Sequence, residues 1–188
     1  MKRVVLTFGL IAGAILSGMM LVTLPFHESI GFGPLEILGY STMVLAFLLI
    51  FFGVRSYRDN VAGGTVSFGR AFGVGALIVA VASVCYVATW EVIYFNIAPE
   101  FTTRLQEHQI EKMRAKGETE QEIARKKLEM AEFAELYRNP AINAAITFLE
   151  PLPVGLVLAL VSAGVLSRRR HAVGGARESL ETLSARRT

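Results

Sequence analysis

The sequence predicts an all-α integral membrane protein built on a bundle of four transmembrane helices, and three observations predict it. Of 188 residues, 53% are apolar and only 19% charged, an imbalance unusual for a soluble domain. The charges are segregated: residues 4–25 carry none, and each of the next three long apolar runs holds a single carboxylate. A helix needs ~20 mainly apolar residues to cross the hydrocarbon core, and four separate runs reach that length. A soluble bundle would instead carry polar stripes at i, i+3 and i+4. The run from Val4 to Leu24 offers only Thr7, Ser17 and Thr23 as polar residues and has no such stripe.

The first span is expected at residues 4–24. Met1-Lys2-Arg3 before it resembles a secretory leader, but the apolar run is too long and has no small-residue cleavage site, so it reads as an uncleaved span. Pro25-Phe26-His27-Glu28, with Gly31, Gly33 and Pro34 beyond, forms a short turn. The second span follows at 35–54. The polar stretch from Arg55 to Gly64, ending on paired glycines, is read as a turn. The third span is expected at 72–98 and the fourth at 141–166, which stops against Arg168, Arg169 and Arg170. Residues 1–170 thus form the membrane domain, and 171–188, rich in Gly, Ser and Arg, read as a disordered basic tail.

Orientation follows from Lys and Arg near the span ends. One side has Lys2, Arg3, Arg55, Arg58, Arg70 and Arg168 to Arg170, whereas the other has only Arg104 and Arg138. With an even number of spans, both termini lie on the basic side, which is the cytoplasm. The net charge of +3 is accounted for by this asymmetry, so no nucleic-acid partner is expected. Arg55, Arg58 and Arg70 are candidate contacts to anionic lipid, or simply topology anchors.

Between the third and fourth spans, residues 99–140 turn densely and alternately charged, which is soluble helix. Gly117 interrupts it, and Thr119-Glu120-Gln121-Glu122 fits a capping box that starts a second helix. The segment is therefore expected to be an extracytoplasmic helical hairpin. Ile123, Met130, Phe133 and Tyr137 share one face of its second helix, with Phe101, Leu105 and Met113 as partners on the first.

Small residues recur every fourth position, as Gly9, Gly13 and Ser17 in the first span and Gly155, Ala159 and Ala163 in the fourth. Such stripes let helices approach closely in lipid, within one chain or between copies of it. The lone cysteine, Cys85, lies inside the third span and reads as a small packing residue.

Three carboxylates lie within apolar runs, where ionisable groups are costly and mark functional candidates. Glu91 precedes Pro99 by eight residues and Glu150 follows Pro140 by ten, so both lie ~12 to 15 Å inside the outer ends. Glu36 begins the second span on that same side, so all three can face one outward-opening cavity. Asn143, Thr147 and Glu150 step along one face of the fourth span. Pro151 and Pro153 then remove two backbone donors and break the helix beside the acid, an arrangement transporters use at membrane depth. The plainer reading has each glutamate protonated or hydrogen-bonded to Tyr86, Tyr94, Asn96 or Asn143, fixing helix register.

Signals of catalysis are thin. No HExxH, GxSxG, P-loop or CxxC pattern occurs, and His27, His108 and His171 fall in separate polar segments. No catalytic residue, metal site or cofactor is expected.

Two motifs permit a comparison: Gly53-Val54-Arg55-Ser56-Tyr57-Arg58-Asp59, and Gly63-Gly64-Thr65-Val66-Ser67-Phe68-Gly69-Arg70-Ala71-Phe72. With Trp90 to Tyr94, Pro99-Glu100-Phe101, Tyr137-Arg138-Asn139-Pro140 and Thr147 to Leu156, they closely resemble the DUF4199 family of bacterial membrane proteins. The resemblance covers nearly everything before the tail. It implies a four-span bacterial membrane protein of uncharacterised function, with no site residues to carry over, and the membrane expected is the cytoplasmic one.

The expected role is that of a non-enzymatic structural or interaction protein. Its partners would be the lipid bilayer and another membrane protein or a second copy of itself. The alternative is a small transporter or ion-coupled permeation protein using the intramembrane carboxylates.

Overall fold

Within hydrocarbon every backbone polar group must find a partner in its own segment, so long apolar runs fold as helices. The computed structural model describes residues 1–26 and 31–167. It contains helices α1 (Lys2–Thr23), α2 (Phe32–Asn60), α3 (Phe68–Val92), α4 (Phe101–Ala115), α5 (Glu120–Tyr137), α6 (Pro140–Leu149) and α7 (Leu152–Leu166). Four segments, Lys2–Phe26, Gly33–Asn60, Phe68–Ile97 and Pro140–Leu166, are long and apolar enough to cross a membrane. The protein is all-α, with no strand among the described residues. The turn expected at His27-Glu28 and the tail at 171–188 lie outside the described residues.

Two boundaries differ from the sequence reading. The stretch after Val54, expected as a turn, continues α2 for six further residues, because its polar side chains satisfy one another along the helix surface. Arg55 Nε lies 3.6 Å from Asp59 Oδ2, and Asn60 Nδ2 donates to Ser56 Oγ at 3.2 Å. The turn begins only at Val61, where Gly63 and Gly64 adopt φ values of 69° and 89° that other residues rarely tolerate. The other end of α3 also departs from expectation: Ile93–Ile97 widens into a π-helical turn, with Ala98 N–H bonded to Ile93 O at 2.8 Å.

Helix α3 is the hub, packing against α1, α2 and both halves of the fourth span, α6 and α7. Lipid offers no hydrophobic drive between spans, so close backbone approach and interhelical hydrogen bonds hold them together. The stripe on α1 supplies both against α3. A Cβ on Gly9 would stand 2.7 Å from Val81 Cβ, and one on Gly13 would stand 2.6 Å from Cys85 Cβ. Ser17 Oγ accepts from Thr89 Oγ1 at 2.8 Å and donates to Cys85 O at 3.3 Å. The pairs Gly9/Val81, Gly13/Cys85 and Ser17/Thr89 keep a constant offset, so α1 and α3 run parallel in register. The stripe of the fourth span meets α3 in the opposite direction: Gly75 faces Ala159, and a Cβ on Gly155 would stand 2.6 Å from Val79 Cγ1.

At the end of the bundle near the α2–α3 turn the interior is dry and closed. Phe47, Ile50, Val54, Ala71, Val74 and Ile78 are all buried to within 1% of full enclosure. At the opposite end the inter-span helices α4 and α5 sit over the bundle. Gly117, at φ 77°, allows the turn between them. Thr119 and Glu122 form a reciprocal capping box, with Thr119 N–H donating to Glu122 Oε2 at 2.9 Å. Ile110 and Ile123 are the buried apolar residues of this pair, and Gln106 Nε2 donates to the Met130 carbonyl at 2.8 Å.

Candidate functional site

Close packing at the dry end gives way to open space where α1, α2 and α3 separate beneath α4. A cavity of about 400 Å³ lies there, bounded by Leu16, Met43, Tyr86, Trp90, Glu36 and Glu150 among others. Its wall is predominantly apolar, and among the described residues that line it there is no Lys, Arg or His. A second, polar cleft of about 510 Å³ runs between α4, α5 and the start of α2. Glu36, Leu105 and Gln109 line both spaces, so the cleft adjoins the cavity as a vestibule would, with these three residues at the threshold between them.

Each acid reaches the cavity by a different local device. Glu36 sits in the first turns of α2, exposed toward the opening. Glu150 sits at the break in the fourth span, where α6 ends at Leu149 and α7 begins at Leu152. Pro151 has no N–H to give the Thr147 carbonyl, nor Pro153 one for Leu149, so the helix cannot continue regularly through this point. Glu150 Oε2 accepts a 3.0 Å hydrogen bond from the Tyr86 hydroxyl, which ties the break to α3.

Behind the cavity wall a directional chain of hydrogen bonds joins three elements. Trp90 Nε1 of α3 donates to the Tyr137 hydroxyl at 2.9 Å. The Tyr137 and Thr147 hydroxyls are 3.0 Å apart, and Thr147 Oγ1 donates to Asn143 Oδ1 at 3.3 Å. A threonine hydroxyl has one proton, so Tyr137 must be the donor to Thr147. Asn143 Nδ2 closes the loop on the Tyr137 carbonyl at 3.3 Å. Burial raises the pKa of the Tyr137 phenol above its ordinary 10.0, which keeps it a donor. Aromatic contacts brace the same junction: ring centroids are 5.3 Å apart for Tyr94 and Tyr137 and 5.1 Å for Trp90 and Phe101.

The structure therefore brings Glu36 and Glu150 together at the cavity. It places Asn143 and Thr147 behind the wall, both at most 3% exposed and committed to Tyr137. Glu91 joins neither group: it does not line the cavity, and its Oε1 is shielded without a hydrogen-bond partner. Of the arginines, Arg55 and Arg58 both pair with Asp59, at 3.6 and 2.7 Å, and Arg70 is exposed in the first turn of α3.

Tyr86 was foreseen as a partner for a glutamate, whereas the Trp90–Tyr137–Thr147 chain was not. Its participants are spread over three elements, and no spacing within one helix signals their meeting. Ser83 was also missed. It is fully buried with its Oγ unpartnered. Continuing the register of Gly75/Ala159 and Val79/Gly155 sets it level with Pro151, at the break.

Among the described residues no group of three His, Cys, Asp or Glu side chains is arranged to hold a metal ion. No curated protein matches the chain, and no solved structure does either. A family profile described as protein of unknown function (DUF4199) matches residues 7–168. Most of the chain, including every residue of the cavity and of the chain behind it, falls inside that match, and the protein belongs to the DUF4199 family.

Proposed function

We propose that this membrane protein is a non-enzymatic interaction protein of a bacterial cytoplasmic membrane that receives a ligand or partner at its two-carboxylate cavity. The carrying observation is the cavity itself, with Glu36 and Glu150 in one apolar wall and a vestibule leading to it. Small-molecule sites have this character, apolar with a few convergent polar groups. The Lys and Arg asymmetry supports both termini in the cytoplasm and the helix pair on the outer face. Partners then come from the bilayer and the outer side: lipid, another membrane protein or a second copy of the chain, and not nucleic acid. No cofactor is invoked.

In-cell photocrosslinking tests the reading. A photoreactive residue replacing Leu105, at the threshold, captures a defined small molecule or protein. The same residue at the highly exposed Ile37, on the α2 surface, serves as the lipid-facing control. Capture of the same lipids from both positions, and nothing else, would sink the proposal. Orientation is checked separately in a Cys85→Ala background: Leu128→Cys reacts with a membrane-impermeant maleimide added outside intact cells, and Gly63→Cys does not.

A second reading, a small transporter, is favoured by the break beside Glu150, since discontinuous spans build ion and substrate sites. It predicts flux into liposomes that Glu150→Gln abolishes.

A further inference from the structure

We propose that the cavity binds a lipophilic organic cation, an amine or onium group on an apolar body, entering as a free solute through the vestibule. The inference rests on the binding reading above and specifies its ligand. Charge comes first: Glu36 and Glu150 line the space and no basic residue among its described lining does, while the basic side chains of the adjoining cleft, Lys112, Lys116, Arg125 and Lys126, share it with Glu118, Glu122 and Glu129. An anion would meet uncompensated like charge beside a predominantly apolar wall, where screening is weaker than in bulk water. A cation supplies the missing partner. The rings of Tyr40, Tyr86 and Trp90 stand in the same wall, and aromatic faces attract cations as carboxylates do, most strongly when water is excluded.

A bare metal ion fits poorly. Calcium and magnesium demand six or more oxygen ligands, and among the described residues no metal-holding cluster occurs. The remaining wall, built from aliphatic and thioether side chains such as Leu16, Leu35 and Met43, calls for apolar ligand surface. The volume of about 400 Å³ lies within the ~300 to 1,000 Å³ usual for small-molecule sites. An uncharged acyl chain would fill the apolar part but leave both carboxylates without a charge partner in the lining.

The single tryptophan of the chain, Trp90, lines the cavity and is a built-in reporter. The experiment titrates the full-length protein in dodecyl maltoside with tetraphenylphosphonium, its anionic counterpart tetraphenylborate, and neutral triphenylphosphine oxide, following Trp90 emission. The expected result is saturable quenching by the phosphonium alone. Its Kd rises about tenfold or more in the Glu36→Gln/Glu150→Gln double variant, roughly one decade being the least that loss of a charge contact should show. Glu36→Gln alone, at an exposed position, weakens binding in the same direction and serves if the double variant does not fold. Equal quenching by the neutral probe, or glutamine variants that titrate like the parent, overturns cation selectivity while leaving the binding reading standing. Silence from all three probes also overturns the proposal, and the crosslinking from Leu105 then decides whether the cavity binds anything at all.

Discussion

The two ends of this bundle solve opposite problems with the same four spans. Near the α2–α3 turn, glycine and alanine bring backbones together and leave no space, as at Gly75 against Ala159. Beneath the helix pair close backbone contact gives way, aromatic and thioether side chains such as Tyr86, Trp90 and Met43 line the walls, and the spans part around a cavity where Tyr86 holds Glu150 by a hydrogen bond. Gly155 and Gly39 mark the contrast: a Cβ on the first would collide with Val79, whereas one on the second meets nothing within 4 Å. The difference teaches that backbone contact holds the closed end rigid, while the open end depends on specific polar links that leave room for a guest.

The largest effect should come from filling the closed end. Gly155→Val is expected to destabilise the protein by about 1–3 kcal/mol through overpacking, read as a lowered thermal midpoint in detergent. Gly39→Ala, in the open end, should be neutral or stabilising by up to about 1 kcal/mol. Equal damage at both positions would break the comparison.

A smaller loss should follow Tyr137→Phe, which strips the hydroxyl between Trp90 and Thr147. About 1 kcal/mol is expected from the unpaired groups left behind, together with a shifted Trp90 emission maximum. An unchanged emission spectrum would mean that the chain behind the wall does not form.

The smallest effect tests the helix pair alone. The Thr119 backbone N–H, and then its hydroxyl, hold the Glu122 carboxyl below its ordinary 4.5, with Arg125 adding to the shift. A depressed folded-state value means the cap contributes stability above the ordinary carboxylate range and loses it as pH falls through the depressed value. Amide exchange at the start of α5 should therefore quicken on acidification, and Glu122→Gln should remove that dependence. The same acid response in the variant would assign it elsewhere.

Much of this was legible in the sequence, for reasons that differ by element. The four spans were readable because hydrocarbon imposes length and composition on a segment independently of its neighbours. The capping box was readable because Thr119 and Glu122 interact across a single turn. The extension of α2 to Asn60 was hidden because a polar composition was taken for a turn, although Arg55/Asp59 and Ser56/Asn60 already stood at helical spacing. The π-helical turn at Ile93–Ile97 has no sequence signal in an apolar run.

Within the site, neither the relative depth nor the direction of Glu91 was legible, because both depend on how the third and fourth spans are staggered. The register of Gly75/Ala159 and Val79/Gly155 sets Glu150 level with Val84, so Glu91 lies roughly 10 Å further along α3, and because it follows Tyr86 by five residues at about 100° each it also points roughly 140° away from the tyrosine that holds Glu150.

The break at Glu150–Pro151 also has a mechanical meaning. Below it, α7 is clamped to α3 through Gly155 and Ala159. Above it, α6 is bolted to the helix pair: Asn139 Oδ1 caps its first turn by accepting from Ala141 N–H at 3.0 Å, and Asn143 and Thr147 hold Tyr137. Helix α6 thus links the helix pair to a joint made by two prolines. Glu150 stands at that joint, between the part of the span fastened to the helix pair and the part fastened to α3.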